Sequence, residues 1–275
     1  MDDALDHVGA ALAAARSAGL AAERGEVVAV AANVLVRIEP GPIAARLTGA
    51  TLSFRDAEAF LGREARLATA VARAGAPALA PLGGPYAAGG RVVTLWPWVD
   101  AVPTGDAVEA GRALRACHDA LLAVDAEPLE PLGMLQEARR IAPRSVLPVV
   151  DRAIAMLDGA PQRAVHGDSH PGNVLWTAHG PLWTDWEDAH RAPLEWDLAC
   201  LVGSARVHGN DFGWAEEALA AHGGAYDAAL LDACVYARVA QSAAYLAHTG
   251  RGGPQALGRL LEWLRAFGGD ALPGH

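Results

Sequence analysis

The sequence predicts an α+β fold in which a small antiparallel-sheet lobe precedes a larger helical lobe. Three observations predict it. Short β-branched runs broken by Gly, Pro and Asn fill much of the first 99 residues. From residue 105 onward apolar residues recur at helical spacing, with brief strand character after residue 163. Apolar residues make up 52% of the chain's 275 residues, with alanine in excess, and alanine suits closely packed helices.

Each element follows in order. Residues 2–24 read as an amphipathic, alanine-rich helix. GEVVAV, NVLVRIEP and GPIAARLTG read as three antiparallel strands joined by turns. SFRDAEAFLGREARLATAVARAG has a Ser/Asp start, helical spacing and Gly75 as a stop. RVVTLWPWV is a further strand, preceded by a loop that holds Gly84, Gly89 and Gly90. These segments form an N-terminal lobe over residues 1–99, and residues 100–275 form the helical lobe. Helices are expected over 105–125, 131–142 and 145–158. RAVHGD, NVLW and PLWTDW then read as strands, the last two forming a hairpin across TAHG. Helices over 194–206, 211–222, 226–248 and 254–267 complete the chain.

Charge and composition exclude several functions. The formal net charge is −10, which argues against nucleic acid, because phosphate binding needs a basic face. All 22 basic residues are arginine, so lysine chemistry is excluded. Cys117, Cys200 and Cys234 are far apart and suggest neither a zinc site nor a disulfide framework. The acidic N-terminus MDDALDHVG does not read as a signal peptide, and no apolar run reaches membrane-spanning length. A cytoplasmic location without a membrane partner is expected, as a monomer or homodimer.

The chemistry concentrates in HGDSHPGN, residues 166–173. Asp168 lies in a loop after a strand, Asn173 opens the next strand, and Asp185 ends the hairpin. A hairpin returns the chain to its starting end, so Asp185 is expected near Asn173. Amide and carboxylate oxygens suit a hard cation such as Mg²⁺. Asp168 is offset and placed to take a proton from a hydroxyl. Phosphoryl transfer needs this set: a metal for the phosphates and a carboxylate for the attacking hydroxyl.

VHGDSHPGNVLW followed by PLWTDWEDAHRAPLEWDLA resembles the signature of the aminoglycoside phosphotransferase/choline kinase family. The resemblance implies a bilobal protein-kinase-like fold. It implies a kinase that uses ATP or GTP with Mg²⁺ to phosphorylate a small-molecule hydroxyl, such as that of an aminoglycoside-type antibiotic or another small metabolite. Asp168 would be the catalytic base, with His166 supporting the loop. Asn173 and Asp185 would hold Mg²⁺, Glu187 would assist, and Asp197 would brace the loop from behind.

The N-terminal lobe supplies matching candidates. Arg46, on the third strand, replaces the family's lysine, and Glu64 on the next helix would brace it. Guanidinium can bridge phosphates. The phosphate-covering stretch GEVVAVAANVLVRI lacks a glycine-rich sequence, leaving VAAN with Asn33 as the turn. The backbone of Trp96 and Trp98 would meet the purine. His170 is either a helix-edge hydrogen bonder or a substrate-facing residue. Asp188, Glu195, Asp211, Glu216 and Glu217 are either an acidic wall for a cationic acceptor or solvated helix faces. Two rival functions remain: a pseudokinase, motivated by the missing lysine, and a metal-dependent phosphoesterase.

Overall fold

The computed structural model describes residues 2–31, 33–49, 54–103, 105–123, 129–210 and 212–270. Ala32 of the expected turn, Ser53 of the expected helix start, the 124–125 end of the third expected helix and Asp211 lie outside them. The chain divides into two compact units, residues 1–105 with 174–187 and residues 106–173 with 188–275. The first unit is thus larger than residues 1–99, because the hairpin at 174–183 joins it. Trp183 N–H donates to the Pro77 carbonyl at 2.8 Å, and Val102 N–H to the Trp176 carbonyl at 3.0 Å. Those bonds bind the hairpin to segments 106 residues (183 − 77) and 74 residues (176 − 102) away in the sequence.

The first unit is built on a five-stranded sheet in the order β1-β2-β3-β5-β4, with every pair antiparallel. The strands are β1 (Ala22–Val30), β2 (Asn33–Pro40), β3 (Ile43–Thr48), β4 (Gly83–Ala88) and β5 (Arg91–Pro97). The period-2 alternation of a strand places Val34, Val36, Ile38, Ala45, Leu47, Val93 and Leu95 on one buried face. Ala10, Ala11, Ala14 and Ala15 of α1 (Asp2–Ser17) pack in the same cluster. That helix ends earlier than the expected residue 24. Gly19 takes φ +74°, and Leu20 N–H closes back on the Ala15 carbonyl at 2.9 Å, which frees Ala22 onward to pair as a strand.

β4 occupies a stretch that reads as a loop. GGPYAA offers little β-propensity, but pairing with β5 recruits it as an edge strand. Gly89 and Gly90, at φ +56° and +71°, make the tight connection. On the other face of the sheet lies α2 (Ala57–Arg73), started by Asp56, whose carboxylate accepts from the N–H groups of Glu58 and Ala59. The hairpin of β7 (Val174–Thr177) and β8 (Gly180–Trp183) completes this unit.

The second unit holds α3 (Ala107–Ala123), α4 (Gly133–Ile141), α5 (Leu147–Met156), α6 (Glu195–His208), α7 (Phe212–His222), α8 (Ala228–Thr249) and α9 (Gly253–Asp270). A short antiparallel pair, β6 (Arg163–Val165) and β9 (His190–Ala192), carries the loop that follows β6. β9 was not expected, since three residues give no periodicity to read. Small residues let the helices approach closely. A Cβ at Gly111 of α3 would collide with the Ala218 carbonyl of α7. Asp227 caps α8 through the N–H groups of Ala229 and Leu230, and Gly250 at φ +68° ends it. No helix among the described residues is long and apolar enough to cross a membrane.

Candidate active site

In the first unit the side chains converge on Arg46. The alternation of β3 turns Arg46 away from Ala45 and Leu47, onto the face that α2 covers. Its guanidinium donates to Glu64 of α2, to Glu187, and to Asp185 at 2.7 Å. Glu64 is fully buried, and the Arg46 side chain is 13% exposed. Burial alone would disfavour the cation, but Asp185, Glu64 and Glu187 outweigh it and hold Arg46 firmly charged. Asn33 Nδ2 donates to Glu187 at 3.0 Å, and Arg63 donates to the Glu187 carbonyl at 3.1 Å. Glu187 is therefore fixed from three sides.

β8 ends at Trp183, two residues before Asp185. Trp183 and Trp186 are completely buried and pin the chain on either side. Between them Asp185 takes φ +65°, a left-handed conformation that Asp tolerates better than most residues. Three carboxylates then face the Arg46 guanidinium. Carboxylate oxygens are the ligand type that a hard cation takes.

Trp96 is buried, and its indole donates to Thr94 at 2.9 Å. Trp98 N–H donates to the Pro42 carbonyl at 2.6 Å, and its ring lies 4.7 Å from the Arg37 guanidinium carbon. That N–H is thus committed to the sheet, so the expected hydrogen bond from Trp98 to a purine cannot use it.

In the second unit the 166–173 loop is tied to Asp197 of α6. His166 N–H and Gly167 N–H donate to the two Asp197 oxygens at 2.7 and 2.9 Å. His118 Nε2 lies 2.8 Å from the same carboxylate, and His118 Nδ1 lies 2.9 Å from His222 Nε2. Burial opposes the Asp197 charge, but His118, His166 and the Gly167 N–H bring its pKa down to about 2. Gly167 sits at φ +90° against the Asp188 carbonyl, so a side chain there would collide.

This bracing presents Asp168. Arg238 Nη2 of α8 donates to Asp168 Oδ1 at 2.5 Å, and Asn173 Nδ2 donates to Oδ2 at 3.2 Å. His170 Nε2 is 3.5 Å from Oδ2, while its Nδ1 accepts from Gly172 N–H at 3.0 Å. Burial again opposes ionisation, but Arg238, His170 and His166 hold Asp168 well below the usual carboxylate range. Because the Asn173 amide nitrogen is the donor to Asp168, any metal ligation by Asn173 would use its oxygen.

The structure places Arg46, Glu64, Asn33, Asp185 and Glu187 in one cluster, and Asp168, His166, His170 and Asn173 in another. Glu195 is buried and accepts from Asp227 N–H at 2.9 Å, so its carboxylate supports the start of α8. Asp188 contributes its carbonyl to His190 at 2.8 Å and its charge to Arg238. Glu216 and Glu217 are exposed on α7. The acidic wall is therefore not assembled from these four residues.

Sequence reasoning missed Arg238 and His118. The only signal was a lone cation within the apolar run of α8, 70 residues from its partner.

A carboxylate held in a braced loop and an arginine set among acidic ligands define a phosphoryl-transfer protein with a protein-kinase-like fold. The comparisons give the family. The model of the phosphotransferase enzyme family matches residues 27–232, and the chain belongs to that family. It is thus a member of a family of phosphotransferases. The structure is similar to choline kinase LicA from Streptococcus pneumoniae, with TM-score 0.69 and 13% identity, over 92% of this chain and 96% of that one. It is similar to a choline/ethanolamine kinase family protein from Mesorhizobium loti, with TM-score 0.62 and 20% identity, over 89% and 88%. It is also similar to amicoumacin kinase hAmiN, with TM-score 0.68 and 14% identity, over 88% and 86%. At these identities the likeness is one of fold. No curated protein matches the sequence significantly.

Proposed function

We propose that this enzyme transfers the γ-phosphate of ATP or GTP to a hydroxyl on a small molecule. One observation carries the reading: Asp168 is held ionised by Arg238 in a loop whose backbone is clamped by Asp197. A carboxylate so fixed orients a hydroxyl and receives its proton as the phosphoryl group leaves the nucleotide.

Asp185 and the Asn173 amide oxygen are the proposed magnesium ligands, with Glu187 in support. When bound, that ion would offset phosphate charge. Arg46 would meet the nucleotide phosphates. It keeps its charge when buried, and Glu64 fixes its direction. The rivals are not favoured. A phosphoesterase needs a cluster of metal-binding side chains, and among the described residues no group of three His, Cys, Asp or Glu is arranged to hold a metal. A pseudokinase would have no use for the bracing around Asp168. Dependence on nucleoside triphosphate would place the enzyme in the cytoplasm.

Calorimetric titration with ATP and with GTP, with and without Mg²⁺, tests the reading. Magnesium-dependent binding that is lost in Asp185→Ala is expected, and it names the donor. Binding indifferent to magnesium and to Asp185 would instead support a pseudokinase.

A further inference from the structure

The second unit contains a cleft of about 820 Å³ beside the Asp168 loop. His170 and Arg238 line it on the loop side, and α6, α7, α8 and α9 supply the remaining walls. Its size suits a small organic molecule. The walls combine an apolar floor, including Leu201, Val235, Val239 and Leu260, with groups able to donate hydrogen bonds, including Ser204 and Asn210, while the Ser242 hydroxyl donates to the Arg238 carbonyl at 2.9 Å and can accept.

The charges of this lining are one-sided. Arg238 is the lining's one Arg among the described residues; its Nη2 donates to Asp168 at 2.5 Å, and its Nη1 to Gln241 at 2.5 Å and to the Gly167 carbonyl at 3.3 Å. None of the described lining residues is Asp or Glu. The carboxylates that act on Arg238, Asp168 and Asp188, lie outside the lining. An ammonium group entering this space would lose water, meet the Arg238 guanidinium of the Arg238–Asp168 pair and find no carboxylate among the described lining residues. Trp214 is the only Trp, Tyr or Phe among the described lining residues, so no aromatic cage for a quaternary ammonium is built. Its indole N–H is out of solvent and has no hydrogen-bond partner. That group can be satisfied by an oxygen but not by a cation.

We propose that this cleft binds the acceptor, and that the acceptor is a hydroxylated molecule that brings no positive charge. It is a neutral polyol-like compound or a hydroxy acid, rather than an amino sugar polycation or a choline-like alcohol. The proposal rests on the kinase reading above and names the acceptor class of that enzyme. The Ser204 hydroxyl donates to its oxygens, the Ser242 oxygen accepts from its hydroxyls, Arg238 faces any acidic group, and the aliphatic floor holds its carbon skeleton. The acceptor hydroxyl points toward Asp168, on the Arg238 and His170 side.

Ligand-observed NMR tests this with a balanced set of hydroxylated fragments: sugars and nucleosides, hydroxy acids, amino sugars, and choline. The proteins are wild type, Ser204→Trp, which fills the cleft, and Ser204→Asp, which adds a carboxylate to it. Neutral or acidic fragments should bind wild type and lose at least tenfold in affinity to Ser204→Trp. In Ser204→Asp the acids should weaken tenfold, the neutral compounds should hold, and cations should begin to bind. Cations bound by wild type and displaced by Ser204→Trp would overturn the proposal. So would the absence of any fragment sensitive to Ser204→Trp. Magnesium-nucleotide binding, measured on the same three proteins, checks their fold. Its absence from wild type would sink the kinase reading separately.

Discussion

Arg238 fixes both the position and the charge of Asp168. Burial pushes the carboxyl toward its neutral form, and the guanidinium, with His170 and His166, reverses that push. Asp168 therefore stays ionised through the neutral range, which favours orienting a hydroxyl over holding a proton in the ground state. Asp168→Asn should lower kcat by about 10²–10⁴-fold while magnesium-nucleotide affinity, read by calorimetry, stays unchanged. Arg238→Gln removes the nearest cation, so the Asp168 pKa rises. The groups left around that position are Asp188, His170, His166 and Cys200. The acidic limb of the kcat/KM profile should move to higher pH in this variant, and a profile unchanged in position would contradict the assignment. Arg46 is equally bound to its surroundings. Arg46→Ala removes the guanidinium that donates to buried Glu64, to Asp185 and to Glu187, and should cost about 3–5 kcal/mol of unfolding free energy in urea titrations.

The elements of the second unit are coupled by buried polar groups as well as by packing. The Asp197 pKa falls from 3.8 to about 2 in the folded protein. A carboxyl depressed in this way contributes stability above its unfolded value and loses it as pH falls toward 2. The shift corresponds to about 2 kcal/mol. His222, which joins α7 to α3 through His118, is pushed down from 6.5 to about 4, by burial first and then by His118 and Arg115. The folded state then binds fewer protons than the unfolded one, so stability drops as pH falls from 6.5 to 4. Unfolding free energy against pH should show both windows. Asp197→Asn should flatten the lower one, and His222→Gln the upper. On the same pair of helices, Gly111→Ala presses a methyl group onto the Ala218 carbonyl. It should destabilise by about 1–3 kcal/mol in thermal or urea unfolding.

For the whole molecule, ligand linkage gives the readout. A nucleotide that binds only the folded enzyme adds about 2.7 kcal/mol at a hundredfold excess over its Kd. Magnesium nucleotide should therefore raise the Tm of wild type and of Asp168→Asn, but not that of Asp185→Ala. The sequence by itself determined the element types, because periodicity and turn residues are local: NVLVRIEP and GPIAARLTG form strands where they read, and the alanine-rich N-terminal segment forms a helix, though it stops at Ser17. It also determined the chemical inventory of the 166–173 loop and of WTDWED, since short spacing leaves little freedom in how such residues can meet. Only the tertiary structure decided that GGPYAA becomes an edge strand, because pairing with β5 overrides weak propensity. It alone assigned the 174–187 segment to the first unit through hydrogen bonds to distant backbone. It alone placed Arg238 on Asp168, emptied the cleft lining of described carboxylates and sent Glu195 to the start of α8. Contacts between residues 30 to 140 positions apart leave no periodic mark in a sequence, and those contacts position Arg46 on Asp185, Glu195 on the start of α8 and Arg238 on Asp168.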